Sequence, residues 1–297
     1  MNPARRSIRW IASVSVGAVV AGLCVTHAQT PSPGRLLVLL RDASALAIVD
    51  PDSGTVLGRV PTGRDPHEVT ASADGRFAFV ASMVDGISVI DLAAQEEVRR
   101  IDTGAGSSTH DVLFADGKVY FTIEGYKSIG RYDPSADTID WTLGTGQEGT
   151  HLLVFDRDTN TMFMPNTRSN TITMIEGITE GPAASTLTVI PVPGDLPEGI
   201  DLSPDGREIW TATRNDGGVS IIDVTSRRVV QTLDLGMRDA NRLKFTPDGR
   251  VLIIDGEAAS LVVMDAASRT VVKRVTVGAT DTGDGAVLVA PDGTRAF

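Results

Sequence analysis

The chain is short of the residues that most often carry redox and covalent chemistry. Its 297 residues hold one cysteine, four histidines, three tryptophans and three tyrosines. The single cysteine, Cys24, lies in a segment that reads as an export signal, so the mature chain has none. That excludes disulfides, a thiol nucleophile and thiolate metal ligands. There is no nucleophile-elbow serine, no dinucleotide-binding glycine loop and no haem-attachment motif. No stretch after residue 30 keeps a helical period. Basic charge is scarce too: 27 Lys and Arg stand against 38 Asp and Glu. An acidic surface repels phosphate backbones, which argues against nucleic acid as a partner.

Residues 1–28 have the pattern of a secretory signal. Arg5, Arg6 and Arg9 form a basic start, Ile11 to Val25 an apolar core, and Thr26-His27-Ala28 a small-residue cleavage site. The alternative, an uncleaved anchor, meets an apolar run that is short for a membrane span. Cleavage leaves 24 basic against 38 acidic residues. Residues 29–34 read as a linker, and 35–297 as one repeat domain. The expected location is periplasmic or secreted, with no membrane span after cleavage and a monomeric chain.

What is present is a repeat. Short apolar runs end in an acid at Asp50, Asp91, Asp133, Glu176, Asp223 and Asp265, spaced 41, 42, 43, 47 and 42 residues apart. Asp-Gly pairs keep the same beat at Asp74-Gly75, Asp116-Gly117, Asp205-Gly206, Asp248-Gly249 and Asp292-Gly293. Asp-Gly between alternating apolar runs marks a tight hairpin, because its turn needs positive φ. A period of about 40 to 45 residues is that of four-stranded propeller blades. The spacing therefore predicts an all-β propeller. Five periods carry all four strands; the N-terminal piece lacks a first strand, and the chain ends inside a further hairpin. We expect seven blades with the last one truncated, six-bladed closure being the alternative.

The repeats resemble the YVTN type of β-propeller found in YncE-like proteins. The match is best over Phe163-Met164-Pro165-Asn166 and Ser169-Asn170-Thr171-Ile172-Thr173-Met174-Ile175-Glu176, with Ser203-Pro204-Asp205-Gly206-Arg207 as the turn. The resemblance spans residues 35 to 297 and implies a fold rather than an activity. Relatives of this architecture include nucleic-acid binders, the d1-haem domain of nitrite reductase, lactonases and streptogramin lyases.

All three histidines of the mature chain, His67, His110 and His151, fall at one position of the repeat, just before the first strand of a blade. Later blades carry Glu198, Asn241 and Gly285 there, with Asp284 beside the glycine. Radial repetition points equivalent side chains at one axis. Three imidazoles and a carboxylate suit Zn, Fe, Ni or Cu better than Mg or Ca. We therefore expect a candidate metal set of His67, His110, His151 and Glu198, with Asn241 and Asp284 lining the channel. Glu68, Asp111 and Glu148 are candidate proton-moving acids. Against this stands a purely structural role, in which each imidazole bonds a turn acid such as Asp91 or Asp133. Arg168, Arg214 and Arg242 read more readily as solvated loop charges than as channel residues. Two functions stay open: an exported binding or scaffold protein for a small molecule or envelope partner, and a metal-dependent hydrolase or lyase.

Overall fold

The computed structural model describes residues 34–277 and 285–297; residues 1–28, expected to be an export signal, all but the last residue of the expected linker 29–34, and Asp284 lie outside the described residues. Short β-branched and aromatic runs between polar turns form antiparallel ladders throughout, as their composition dictates. The described residues hold six sheets, five of four strands and one of three.

The first sheet contains β1 (Leu36–Leu40), β2 (Ala45–Val49) and β3 (Val56–Pro61). The second contains β4 (Pro66–Ala71), β5 (Phe77–Ser82), β6 (Gly86–Asp91) and β7 (Glu96–Ile101). The third runs through β8 (Thr109–Ala115), β9 (Lys118–Ile123), β10 (Ser128–Asp133) and β11 (Thr138–Gly144). The fourth has β12 (Val154–Asp156), β13 (Thr161–Asn166), β14 (Thr171–Glu176) and β15 (Thr186–Pro191). The fifth has β16 (Pro197–Leu202), β17 (Glu208–Thr213), β18 (Gly218–Asp223) and β19 (Arg228–Asp234). The sixth has β20 (Ala240–Phe245), β21 (Arg250–Asp255), β22 (Ser260–Asp265) and β23 (Thr270–Thr276). Two single 3-10 turns, Glu124–Tyr126 and Ile178–Glu180, are the helical elements among the described residues, and no described helix is long and apolar enough to cross a membrane.

Within each full sheet the strands pair in sequence order, so the chain moves steadily from first to fourth strand. Fourth strands alternate with solvent, as β11 does, whereas the middle strands β5, β6, β13 and β14 are almost wholly buried. First strands meet the first strand of the next sheet through side chains. Thr70 Oγ1 accepts the Phe114 N–H at 3.2 Å, Asp111 Oδ2 the Leu153 N–H at 2.6 Å, and Asp201 Oδ2 the Phe245 N–H at 2.8 Å. First strands therefore gather inward and fourth strands face out, which is a β-propeller. Gly199 permits one of these approaches: a Cβ there would stand 2.9 Å from the Arg242 carbonyl carbon.

The core lies between sheets. Phe79, Ala81 and Ile87 pack against Val112, Val119 and Phe121 of the next sheet. Trp210 is fully buried against Phe245, ring centroids 5.5 Å apart, and so serves packing. Each such side chain contributes roughly 1.5–3 kcal/mol by leaving water. After the sixth sheet, residues 285–297 turn through a short hairpin. It is bridged at Val289 and Ala296 and packed through Val287 on Leu252 and Ile254. Arg295 of this hairpin reaches Asp52 of the first sheet at 2.6 Å.

Candidate functional site

Four residues of the histidine column, His67, His110, Glu198 and Asn241, sit at β-bulges. The ladder between β4 and β5 skips His67, that between β8 and β9 shifts across His110 and Asp111, and those of β16 and β20 skip Glu198 and Asn241. In the fourth sheet the strand is broken, with Thr150 bridged to Asn166 before pairing resumes at Val154, so that His151 falls in the gap. Two residues before each column position the chain is left-handed, at Asp65, Ser108, Gly149, Leu196 and Asp239. A bulge leaves one residue out of the ladder and re-aims its side chain. The repeat thus turns one side chain per sheet away from the pleat and toward the axis.

There the side chains meet. The His67 and His110 rings are 4.5 Å apart by centroid, with Nδ1 of His67 2.9 Å from Nε2 of His110. The His151 ring packs on His110 at a tilt of 34°, with centroids 3.7 Å apart. Its Nε2 is 3.7 Å from Glu198 Oε1. Arg242 pairs with Glu198, and its other amino group reaches Glu68 at 3.2 Å. The circuit therefore runs through sheets two, three, four, five and six and returns to two.

The acid nearest His151 was not foreseen from sequence. Glu124 Oε1 lies 2.5 Å from His151 Nδ1, and its second oxygen takes Arg168 at 3.0 Å. Glu124 stands just past the second strand of its sheet, at a position that reads Met83, Glu124, Thr167, Arg214 and Gly256 around the repeat. The N–H of each of these donates to the carbonyl of the left-handed residue: Asp65, Ser108, Gly149, Leu196 and Asp239 in turn. A second column is thus fastened beside the first. Its two charged members, Glu124 and Arg214, are the ones that touch the cluster, Arg214 pairing with Glu198 at 3.2 Å. Arg168 is exposed, as expected, yet pairs with Glu124, whereas Arg214 and Arg242, expected to be solvated, are half-buried on Glu198.

Electrostatics sort the imidazoles. Burial, then the neighbouring His151, His67 and Arg242, hold His110 well below the usual histidine value. Burial and Arg41 push His67 down as well. Burial also pulls on His151, but Glu124 and Glu198 outweigh it and raise that ring. Burial would raise Glu198, yet His151, Arg242 and Arg214 bring it to about 2. A buried and a half-buried ring, both shifted toward the neutral form, thus lie beside a clamped anion.

Of the remaining candidate acids, Glu68 is engaged by Arg242. Asp111 is half-buried, raised to about 7 by desolvation and Glu68, and accepts from the N–H groups of Val112 and Leu153. Glu148 is exposed and paired with Lys127 at 2.8 Å. Asn241 is buried beside Arg242, which bonds its carbonyl oxygen at 2.9 Å. The turn acids offered as structural partners serve elsewhere. Asp91 accepts from Ala93 and Ala94, and Asp133 from Ser135 and Lys118. One geometric subset fits an ion: ligand atoms of His110, Glu124 and His151 all lie within 4.8 Å of one another.

Comparison with known proteins gives the same fold. The model of the cytochrome D1 heme domain family matches residues 34–135, about a third of the chain. Hydrazine synthase of Kuenenia stuttgartiensis superimposes with a TM-score of 0.76 at 16% identity, covering 92% of this chain and 94% of that one. Virginiamycin B lyase of Staphylococcus aureus gives 0.73 at 13% identity over 86% and 85% of the two chains. A functionally unknown protein from Desulfotomaculum acetoxidans gives 0.67 at 17%, with 82% of each chain covered.

Proposed function

We propose that this protein is an exported β-propeller that binds a divalent transition metal where its first strands converge, and presents that ion to a small ligand or an envelope partner. The observation that carries the reading is the convergence of His110, His151 and Glu124 within 4.8 Å from two neighbouring sheets. Two imidazoles and one carboxylate suit Zn, Fe, Ni or Cu over Mg or Ca. Such a set leaves coordination positions open, and a bound ion would there act as a Lewis acid, which is what favours a hydrolase or lyase as the second reading. Glu198 differs from the expected ligand set in its role: two arginines already occupy its oxygens. It balances charge beside the ion.

The description of the partly matching family names a haem, and the residues present do not fit one. A flat macrocycle needs an open slot, whereas His67, His110 and His151 pack on one another and Arg242 spans from Glu198 to Glu68. These side chains leave the place of an ion and not of a ring.

The YVTN type, the periplasmic or secreted location and a seventh blade begun at 285–297 belong to the same proposal. They are supported by the repeat motifs, the signal-like residues 1–28 and the terminal hairpin. The test is elemental mass spectrometry of the purified mature protein. Near-stoichiometric metal is expected, lost in His110→Ala and in Glu124→Gln. Metal-free protein that stays metal-free after incubation with Zn, Fe, Ni and Cu salts would refute the reading.

A further inference from the structure

The third histidine, His67, is absent from the tight ligand set, yet its Nδ1 lies 2.9 Å from Nε2 of His110. Its surroundings suggest why. Arg41, in the turn between β1 and β2, holds Asp65 through two nitrogens at 3.0 and 3.1 Å. Asp65 Oδ1 lies 3.2 Å from Nε2 of His67, off the line of a straight N–H···O bond. A bare nitrogen lone pair facing a carboxylate at that distance would be repelled, so the proton of His67 belongs on Nε2. Nδ1 is then an acceptor. The 2.9 Å contact with His110 needs one donor and one acceptor, so His110 carries its proton on Nε2. The opposite nitrogen, Nδ1 of His110, is left with a lone pair, and it is buried with no hydrogen-bond partner among the described residues. An unpaired nitrogen in a buried ring is costly unless something occupies it.

We propose that His67 is a positioning residue: the chain Arg41–Asp65–His67 fixes the tautomer of His110 and presents its Nδ1 as the electron-pair donor of the site. The chain draws on three sheets, one residue in the first, two in the second, and the target in the third. It has the form of the outer-sphere carboxylate and histidine pairs that orient metal-bound imidazoles, with one additional imidazole in the line. The identity of the recipient as a metal ion rests on the function proposed above; the tautomer does not.

Two measurements separate the claims. The first uses the metal-free wild-type protein, 15N-labelled at histidine. Nitrogen shifts and couplings are expected to show His110 protonated at Nε2 and bare at Nδ1. A proton on Nδ1 would overturn the proposal whatever the metal result. The second titrates Co2+ against a competing chelator. Asp65→Asn and His67→Ala are expected to weaken Co2+ binding about 10- to 100-fold, the range seen when outer-sphere partners are removed. His67→Asn, whose side-chain oxygen can replace Nδ1 as acceptor, should recover most of that loss. The visible spectrum of bound Co2+ should be unchanged in all three. A spectrum altered by His67→Asn, or a loss equal to that of His110→Ala, would make His67 a ligand. Unchanged affinity in Asp65→Asn would remove the relay. A wild type that takes no Co2+ would sink the metal reading, while the nitrogen spectrum still decides the tautomer.

Discussion

At the scale of single residues the site is a set of charges and rings that satisfy one another across sheets. Glu198 is the keystone, since it sits among His151, Arg214 and Arg242 and is brought to about 2 by them despite its burial. Removing one member of a buried ion pair leaves the others uncompensated, at a cost of about 3–5 kcal/mol. Glu198→Gln keeps the shape and removes the charge, and Arg242 and Arg214 retain Glu68 and Asp239. We expect it to cost nearer the lower end, roughly 3 kcal/mol, read as a fall in the urea midpoint without a change in slope. Glu148→Gln, at an exposed pair with Lys127, should leave the midpoint where it is. Equal midpoints for the two variants would show that the cluster is solvated and its pairs weak.

The histidine column was legible in sequence because the Asp-Gly turns set its phase. Glu124 was not, because its position carries no constant residue: Met83, Thr167, Arg214 and Gly256 share nothing chemical with it. What they share is a backbone bond to the left-handed residue of the neighbouring loop, which is visible in coordinates alone. The three arginines were read as solvated for a similar reason. Arg168 is indeed exposed, but Arg214 and Arg242 are half-buried, and nothing local marks them so: Arg242 finds Glu68 174 residues away in another sheet.

At the scale of elements, the recurring device is the bulge with its left-handed entry. The sequence displays turns and strands by composition, but a bulge adds one residue to a strand with no residue type of its own, so the period could mark the column and not its cause. The entry is most constrained in the fourth sheet, where Gly149 has φ of 69° and a Cβ would stand 2.2 Å from Thr167 Oγ1 and 3.2 Å from the Arg168 amide. Gly149→Ala combines left-handed strain with a clash against the loop that holds Arg168. We expect a loss of about 1–3 kcal/mol in stability, together with weaker metal binding because His151 lies two residues on. Ser108, Asp65 and Asp239 adopt the same conformation with side chains. Full stability in Gly149→Ala would show that the fourth sheet can shift to accept the methyl group.

At the scale of the molecule, the fold follows from the period, and the even spacing of turn acids is enough to give four-stranded sheets in sequence order. Placement of the site follows from the same repetition, since first strands that bond to one another bring one side chain each to a common axis. The activity does not follow. The structural neighbours share the fold at 13–17% identity and carry different names, and sites on such a fold vary independently of it. The central claim is that an ion sits where the first strands of the third and fourth sheets meet. The most direct test is anomalous diffraction from a crystal of the metal-loaded protein at the absorption edge of the bound metal. The account predicts one strong peak in contact with His110, His151 and Glu124, with His67 touching His110 rather than the ion. No peak at the convergence of the first strands, or a peak held by surface acids elsewhere, would contradict it.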